Sequence, residues 1–133
     1  MKILIVDDEP GIRETLSAIF KEHGFDVLVA ENGKEAVQIF SENDIDFVMM
    51  DIELPEMDGL TAYQVIKKIA TNRIKKTRIL LMTGKSDRLE QAKKQGLEVI
   101  EKPFEVNKAI ALLLDLKNQK CNSKPSSYEN VKF

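Results

Sequence analysis

Hydrophobic residues along this chain follow two periods in turn. Unbroken apolar runs occur at ILIV (Ile3 to Val6), FDVLVA (Phe25 to Ala30), DFVMM (Asp46 to Met50), RILLMT (Arg78 to Thr83) and EVIE (Glu98 to Glu101). Runs of this length suit strands covered on both faces, as in parallel sheets. Between them the apolar positions recur at helical spacing. Ile12, Leu16, Ile19 and Phe20 share one face, as do Ala62, Val65, Ile66 and Ile69. Val106, Ala109, Ile110, Leu113 and Leu116 do the same near the end. Shorter helices are predicted near Lys34 to Ser41 and Asp87 to Gln95.

Turn-forming residues fall between the periods. Pro10 suits a first helical turn, and Gly24 suits a helix C-terminus. Asn32-Gly33 and Asp58-Gly59 mark turns leading into helices. Five β-α units in succession predict an α/β fold with right-handed crossovers. From Asn118 the text (NQKCNSKPSSYENVKF) is polar and aperiodic, and residues 118–133 are expected to form a mobile tail behind a single domain of residues 1–117.

Composition narrows the function classes. A net charge of −2 with interspersed signs gives no electrostatic case for nucleic acid or an anionic membrane. No apolar run approaches the roughly 20 residues that span a bilayer. The chain enters strand-like sequence directly, without a signal peptide's basic region, so a cytoplasmic location is expected. The single cysteine, Cys121, rules out an internal disulfide.

Chemistry concentrates where the strands end. In open α/β sheets, ligands bind beyond the carboxyl ends of the strands. The first strand runs into Asp7, Asp8 and Glu9, the third ends at Asp51, the fourth at Thr83 and the fifth at Lys102. If these four strands are neighbours, one edge gathers three aspartates, a hydroxyl and an ammonium. Crowded carboxylates repel one another and lose water, so a positive partner is expected among them. Oxygen donors without sulfur favour a hard cation, Mg²⁺ or Mn²⁺. Asp51 can then act as a nucleophile toward phosphorus, with the metal, Thr83 and Lys102 each meeting a phosphoryl oxygen.

Four segments carry a family resemblance: VDDEP, MMDIELPEMDGL around Asp51, MTG at the end of the fourth strand, and EKPF containing Lys102. Over residues 1–117 the chain resembles the receiver domains of two-component response regulators. The resemblance implies a (βα)5 doubly wound, flavodoxin-like parallel sheet with strand order 2-1-3-4-5. It implies that Asp51 accepts a phosphoryl group from a histidine kinase or a histidine phosphotransfer protein. Asp8, Asp51 and the Glu53 backbone carbonyl would bind Mg²⁺ directly, with Asp7 acting through water, and Thr83 and Lys102 would contact the phosphoryl group. A switch of this kind, rather than an enzyme acting on other substrates, is expected to work as a stand-alone regulator through contact with a downstream protein.

Two rival classes fit less well. A nucleotide-binding domain would carry a phosphate loop or Gly-x-Gly-x-x-Gly after the first strand, and neither is present. A haloacid-dehalogenase-like phosphatase would place an aspartate two residues beyond the nucleophile, where this chain has Glu53.

Other residues carry smaller expectations. Val99 stands where receivers often have an aromatic residue, so signalling without an aromatic rotation is expected. Glu53 and Lys85, of opposite charge, are expected to pair over a phosphoryl group on Asp51 and slow its hydrolysis. The basic stretch NRIKKTR (Asn72 to Arg78) reads as a solvated loop, and His23 as a structural residue at a helix end.

Overall fold

The computed structural model describes residues 1–74 and 76–105, together with Asn107, Lys108, Ala111 and Asp115. Strand and helix alternate along it as β1 (Lys2–Val6), α1 (Pro10–Glu22), β2 (Asp26–Ala30), α2 (Gly33–Glu42), β3 (Phe47–Asp51), α3 (Gly59–Thr71), β4 (Arg78–Thr83), α4 (Ser86–Lys94) and β5 (Val99–Glu101). The strands form one parallel sheet in the order β2-β1-β3-β4-β5, as expected. All nine elements belong to a unit spanning Met1–Lys102. In the second unit, which begins at Pro103, the Lys108 N–H donates to the Glu105 carbonyl at 3.0 Å. The apolar stretch from Val106 to Leu116 lies mostly outside the described residues, and the expected tail of residues 118–133 entirely so.

The three central strands are buried almost throughout, which explains their unbroken apolar runs. Side chains alternate across the sheet. Leu4, Val6, Val48, Met50 and Leu81 join Ala36 and Phe40 of α2, Ala62 and Ile66 of α3, and Ala92 of α4 in one cluster. On α1 the predicted stripe buries Leu16 and Phe20 fully, with Ile12 and Ile19 at its margins. Phe20 meets Phe25 and Phe47 edge-on, at centroid distances of 6.2 and 6.5 Å. The edge strands depart from the expectation of two covered faces. β2 leaves Asp26 and Val29 exposed, and β5 leaves Glu101 exposed.

Capping fixes where the helices begin. Asn32 accepts the Glu35 N–H at 2.7 Å and starts α2, while Asp58 accepts the Leu60 N–H at 3.1 Å and starts α3. Gly24 adopts φ 85° after α1, where a side chain would be strained. His23 closes α1, its Nδ1 lying 2.9 Å from the Ile19 carbonyl oxygen.

Within the basic loop, Arg73 has a structural role in place of the expected solvation. Its guanidinium donates to the carbonyls of Asn43, Phe40 and Ser41 at 2.8, 2.7 and 3.2 Å, capping the C-terminus of α2. It also lies 4.6 Å from the centre of the Phe40 ring. Charge-assisted hydrogen bonds to helix-end carbonyls are among the stronger ones. Arg73→Ala is therefore expected to lower unfolding free energy by about 1–2 kcal/mol. Arg73→Lys should recover little of it, because an ammonium lacks the fork geometry. Denaturant midpoints of the three proteins would check this; an unchanged midpoint in Arg73→Ala would mean that the side chain is merely solvated.

Candidate functional site

Strand order brings the expected residues to one edge. β1 and β3 are neighbours in register, Val6 opposite Met50, so the residues that follow, Asp7 and Asp51, come side by side. The β1–β2 ladder continues one step beyond the strand, with the Asp7 N–H donating to the Ala30 carbonyl at 3.2 Å. On the other flank, Asp51 pairs with Met82 and Thr83 with Glu101. The Lys102 N–H then donates to the Thr83 carbonyl at 2.7 Å, holding Lys102 against the end of β4.

Carboxylate oxygens of Asp7, Asp8 and Asp51 lie within 4.8 Å of one another. Asp7 and Asp51 are buried, at 0% and 4% exposure, whereas Asp8 faces solvent. A positive partner does sit among them. The Lys102 ammonium donates to Asp7 Oδ2 at 2.8 Å and to Asp51 Oδ2 at 2.9 Å. Glu9 is more distant, its Oε1 lying 3.9 Å from the same ammonium and its side chain largely exposed. Glu9 makes no side-chain cap to α1; its N–H instead donates to Asp7 Oδ1 at 2.9 Å. Arg13 adds a further cationic contact, with Nη1 donating to the Asp7 backbone carbonyl at 2.6 Å.

Protonation follows from this crowding. Burial pushes the Asp51 carboxyl up from 3.8 to about 6; Lys102 opposes the shift and the Asp7 charge adds to it. For Lys102, burial alone would lower the ammonium, but hydrogen bonds and charge from Asp51 and Asp7 outweigh it and leave the group raised. Asp51 is thus mostly ionised at neutral pH, yet poorly solvated.

The three aspartates fit a hard divalent cation. They offer oxygen alone, they are close enough to converge on one ion, and Asp8 leaves one side open to water. Hydrogen bonds tie down the loop that follows Asp51. The Ile52 N–H donates to the Met82 carbonyl at 2.8 Å and the Gly59 N–H to the Ile52 carbonyl at 2.7 Å. The Glu53 N–H donates to Asp51 Oδ1 at 3.0 Å, fixing the carboxylate from its own loop.

Thr83 reaches the edge as expected, fully buried, but its hydroxyl is already engaged. It donates to the Glu53 carboxylate, both oxygens of which lie 2.9 Å away, and accepts the Lys85 N–H at 3.1 Å. Among the ion pairs of the described residues none joins Glu53 to Lys85. Glu53 turns to the buried hydroxyl beside it, where a hydrogen bond outweighs a screened pair in solvent. An acidic residue two places after Asp51 is visible in the sequence, but not the hydroxyl it faces. Asp58 and Arg88 form another pair that the sequence does not reveal: Arg88 Nη2 lies 2.9 Å from both Asp58 oxygens and ties α4 to the cap of α3.

Comparison with known proteins identifies the family. Residues 3–114 match the family model of the response regulator receiver domain. The chain is 35% identical over 123 residues to sporulation initiation phosphotransferase F of Bacillus subtilis, covering 88% of this chain and 96% of that protein. It is 37% identical over 113 residues to chemotaxis protein CheY of the same organism, covering 82% of this chain and 91% of that one. Among solved structures, response regulator protein TrrA of Thermotoga maritima, in complex with Mg(2+)-BeF, superposes with a TM-score of 0.74. That match is 33% identical and covers 86% of this chain and 97% of that chain.

Proposed function

This chain belongs to the response regulator receiver domain family, and from that membership we propose that Asp51 accepts a phosphoryl group from the phosphohistidine of a kinase or phosphotransfer protein. The observation that carries the proposal is the buried Asp51 carboxylate, flanked by Asp7 and Asp8 and held by the Lys102 ammonium. In the transfer, an Asp51 carboxylate oxygen attacks phosphorus. The new P–O bond forms as the P–N bond to the donor imidazole breaks, and the nitrogen keeps the electron pair and takes a proton from solvent.

This chain supplies positioning and countercharge. Lys102, already on Asp51, follows the charge onto a phosphoryl oxygen, and Thr83 donates its hydroxyl to another. Asp8, Asp51 and the Glu53 carbonyl would hold Mg²⁺, or Mn²⁺ in its place, and Asp7 would act through water. A cation held there would supply countercharge for the transfer. The product is a switch state rather than a released metabolite, so the signal leaves by contact with a downstream protein. Among the described residues no helix is long and apolar enough to cross a membrane.

Incubation with acetyl phosphate and Mg²⁺ is expected to raise the intact mass by one phosphoryl group. EDTA should abolish the increase, and Mg²⁺ in excess should restore it. Incorporation that continues undiminished in EDTA would remove the metal from the reaction.

A further inference from the structure

The Thr83 hydroxyl has one proton to give, and in this structure it gives it to Glu53. Both carboxylate oxygens stand at 2.9 Å, so a small rocking of Glu53 leaves an acceptor in place. The Lys85 N–H occupies the hydroxyl's accepting side at 3.1 Å. Thr83 is fully buried, so no solvent competes for the remaining valence. The hydroxyl is satisfied before any phosphoryl group arrives. We propose that Glu53 is a clasp on Thr83, which a phosphoryl group on Asp51 must displace in order to win the Thr83 hydrogen bond.

The proposal rests on the phosphoryl-acceptor reading of Asp51 and adds to it a residue that opposes the phosphorylated state. Glu53 is well placed for this because it is tied to both partners. Its N–H donates to Asp51 Oδ1 at 3.0 Å while its side chain holds Thr83. Phosphorylation of Asp51 changes the first contact, and the phosphoryl charge repels the Glu53 carboxylate in the second. A hydrogen bond with an ionised acceptor is about twice as strong as a neutral one, so opening the clasp has a definite cost. Where the competent arrangement is only fractionally populated, apparent affinity falls by that fraction. Removing the clasp removes the penalty.

The test uses the full chain with Mg²⁺ and beryllofluoride, read by titration calorimetry. Glu53→Ala is expected to bind beryllofluoride about tenfold more tightly than the parent, which corresponds to about 1.4 kcal/mol. The same substitution in a Thr83→Val background, which keeps the shape of the side chain, is expected to change affinity less than twofold. Thr83→Ala serves as a second background should the valine variant fail to fold. An equal gain with and without the Thr83 hydroxyl would reduce Glu53 to a repelling charge and overturn the clasp. So would unchanged affinity in Glu53→Ala. A parent that binds no beryllofluoride would instead remove the phosphoryl-acceptor reading beneath it.

Discussion

Asp51→Asn will take up no phosphoryl group from acetyl phosphate, and in the absence of metal it will be more stable than the parent above pH 6. The first effect follows from losing the nucleophile: an amide oxygen does not form an acyl phosphate under these conditions. The second follows from burial. The Asp51 carboxyl is raised from 3.8 to about 6 in the folded protein. A folded value above the unfolded one means that the folded state holds the proton more tightly. Asp51 therefore favours the fold fully below pH 3.8, and that contribution is lost as pH rises through about 6. At neutral pH the ionised side chain burdens the fold by roughly 3 kcal/mol, since each tenfold change in proton affinity corresponds to about 1.4 kcal/mol. Asparagine carries no charge, but its amide meets the Lys102 ammonium less well. The net gain is expected to be about 1–3 kcal/mol above pH 6, shrinking toward zero near pH 4. The raised Lys102 ammonium contributes below 10.5 and stays constant across this window. Urea unfolding in EDTA at several pH values would measure the difference. An asparagine variant no more stable than the parent at pH 8 would mean that burial does not strain Asp51, and incorporation surviving in that variant would place the acceptor elsewhere.

Gly59→Ala will damage both the fold and the site, whereas Gly11→Ala will damage neither. Gly59 opens α3 directly beneath the end of β3. A Cβ on it would lie 2.6 Å from the Ile52 Cα and collide with the Asp51 carbonyl oxygen. Both obstacles are backbone, and the Gly59 N–H is itself bonded to the Ile52 carbonyl at 2.7 Å, so neither side yields cheaply. Overpacking typically costs about 1–3 kcal/mol, and a backbone clash belongs at or above the top of that range, about 3 kcal/mol. Against a typical total of about 5–15 kcal/mol, that is a large fraction. Whatever moves to relieve the clash also moves Asp51, so a variant that remains folded should bind Mg²⁺ and beryllofluoride more weakly. At Gly11, in the first turn of α1, a Cβ meets nothing within 4 Å, and alanine should be neutral or stabilising by up to about 1 kcal/mol. Thermal or urea unfolding of the two variants beside the parent gives the comparison. Equal stability of Gly59→Ala and the parent would show that α3 can separate from β3 without loss.

The sheet was legible because its central strands lie between helices. Burial on both faces forces an unbroken apolar run, and helices that pack one face on the sheet show a helical stripe. The edges were less legible, because FDVLVA and EVIE look much like central strands while Val29 and Glu101 meet solvent. The role of Arg73 was hidden for a related reason. A basic loop looks solvated in sequence, and only the return of that loop past the end of α2 places the Phe40, Ser41 and Asn43 carbonyls around the guanidinium.

By itself the sequence determined the alternation of elements, the strand ends that carry Asp7, Asp8, Asp51, Thr83 and Lys102, and the need for positive charge among the carboxylates. These are local matters: period, turn chemistry and residue type act within a few positions along the chain. Tertiary structure decided which side chain meets which. It set the Lys102 ammonium between Asp7 and Asp51, 95 and 51 positions away, where burial leaves the carboxylates little other solvation. It also turned Glu53 from a partner for Lys85 into the acceptor for Thr83, 30 positions along. The physical reason is that hydrogen bonds of buried groups are settled by packing. A hydroxyl closed off from water takes whichever acceptor the sheet brings within reach, and spacing along the chain does not encode that choice.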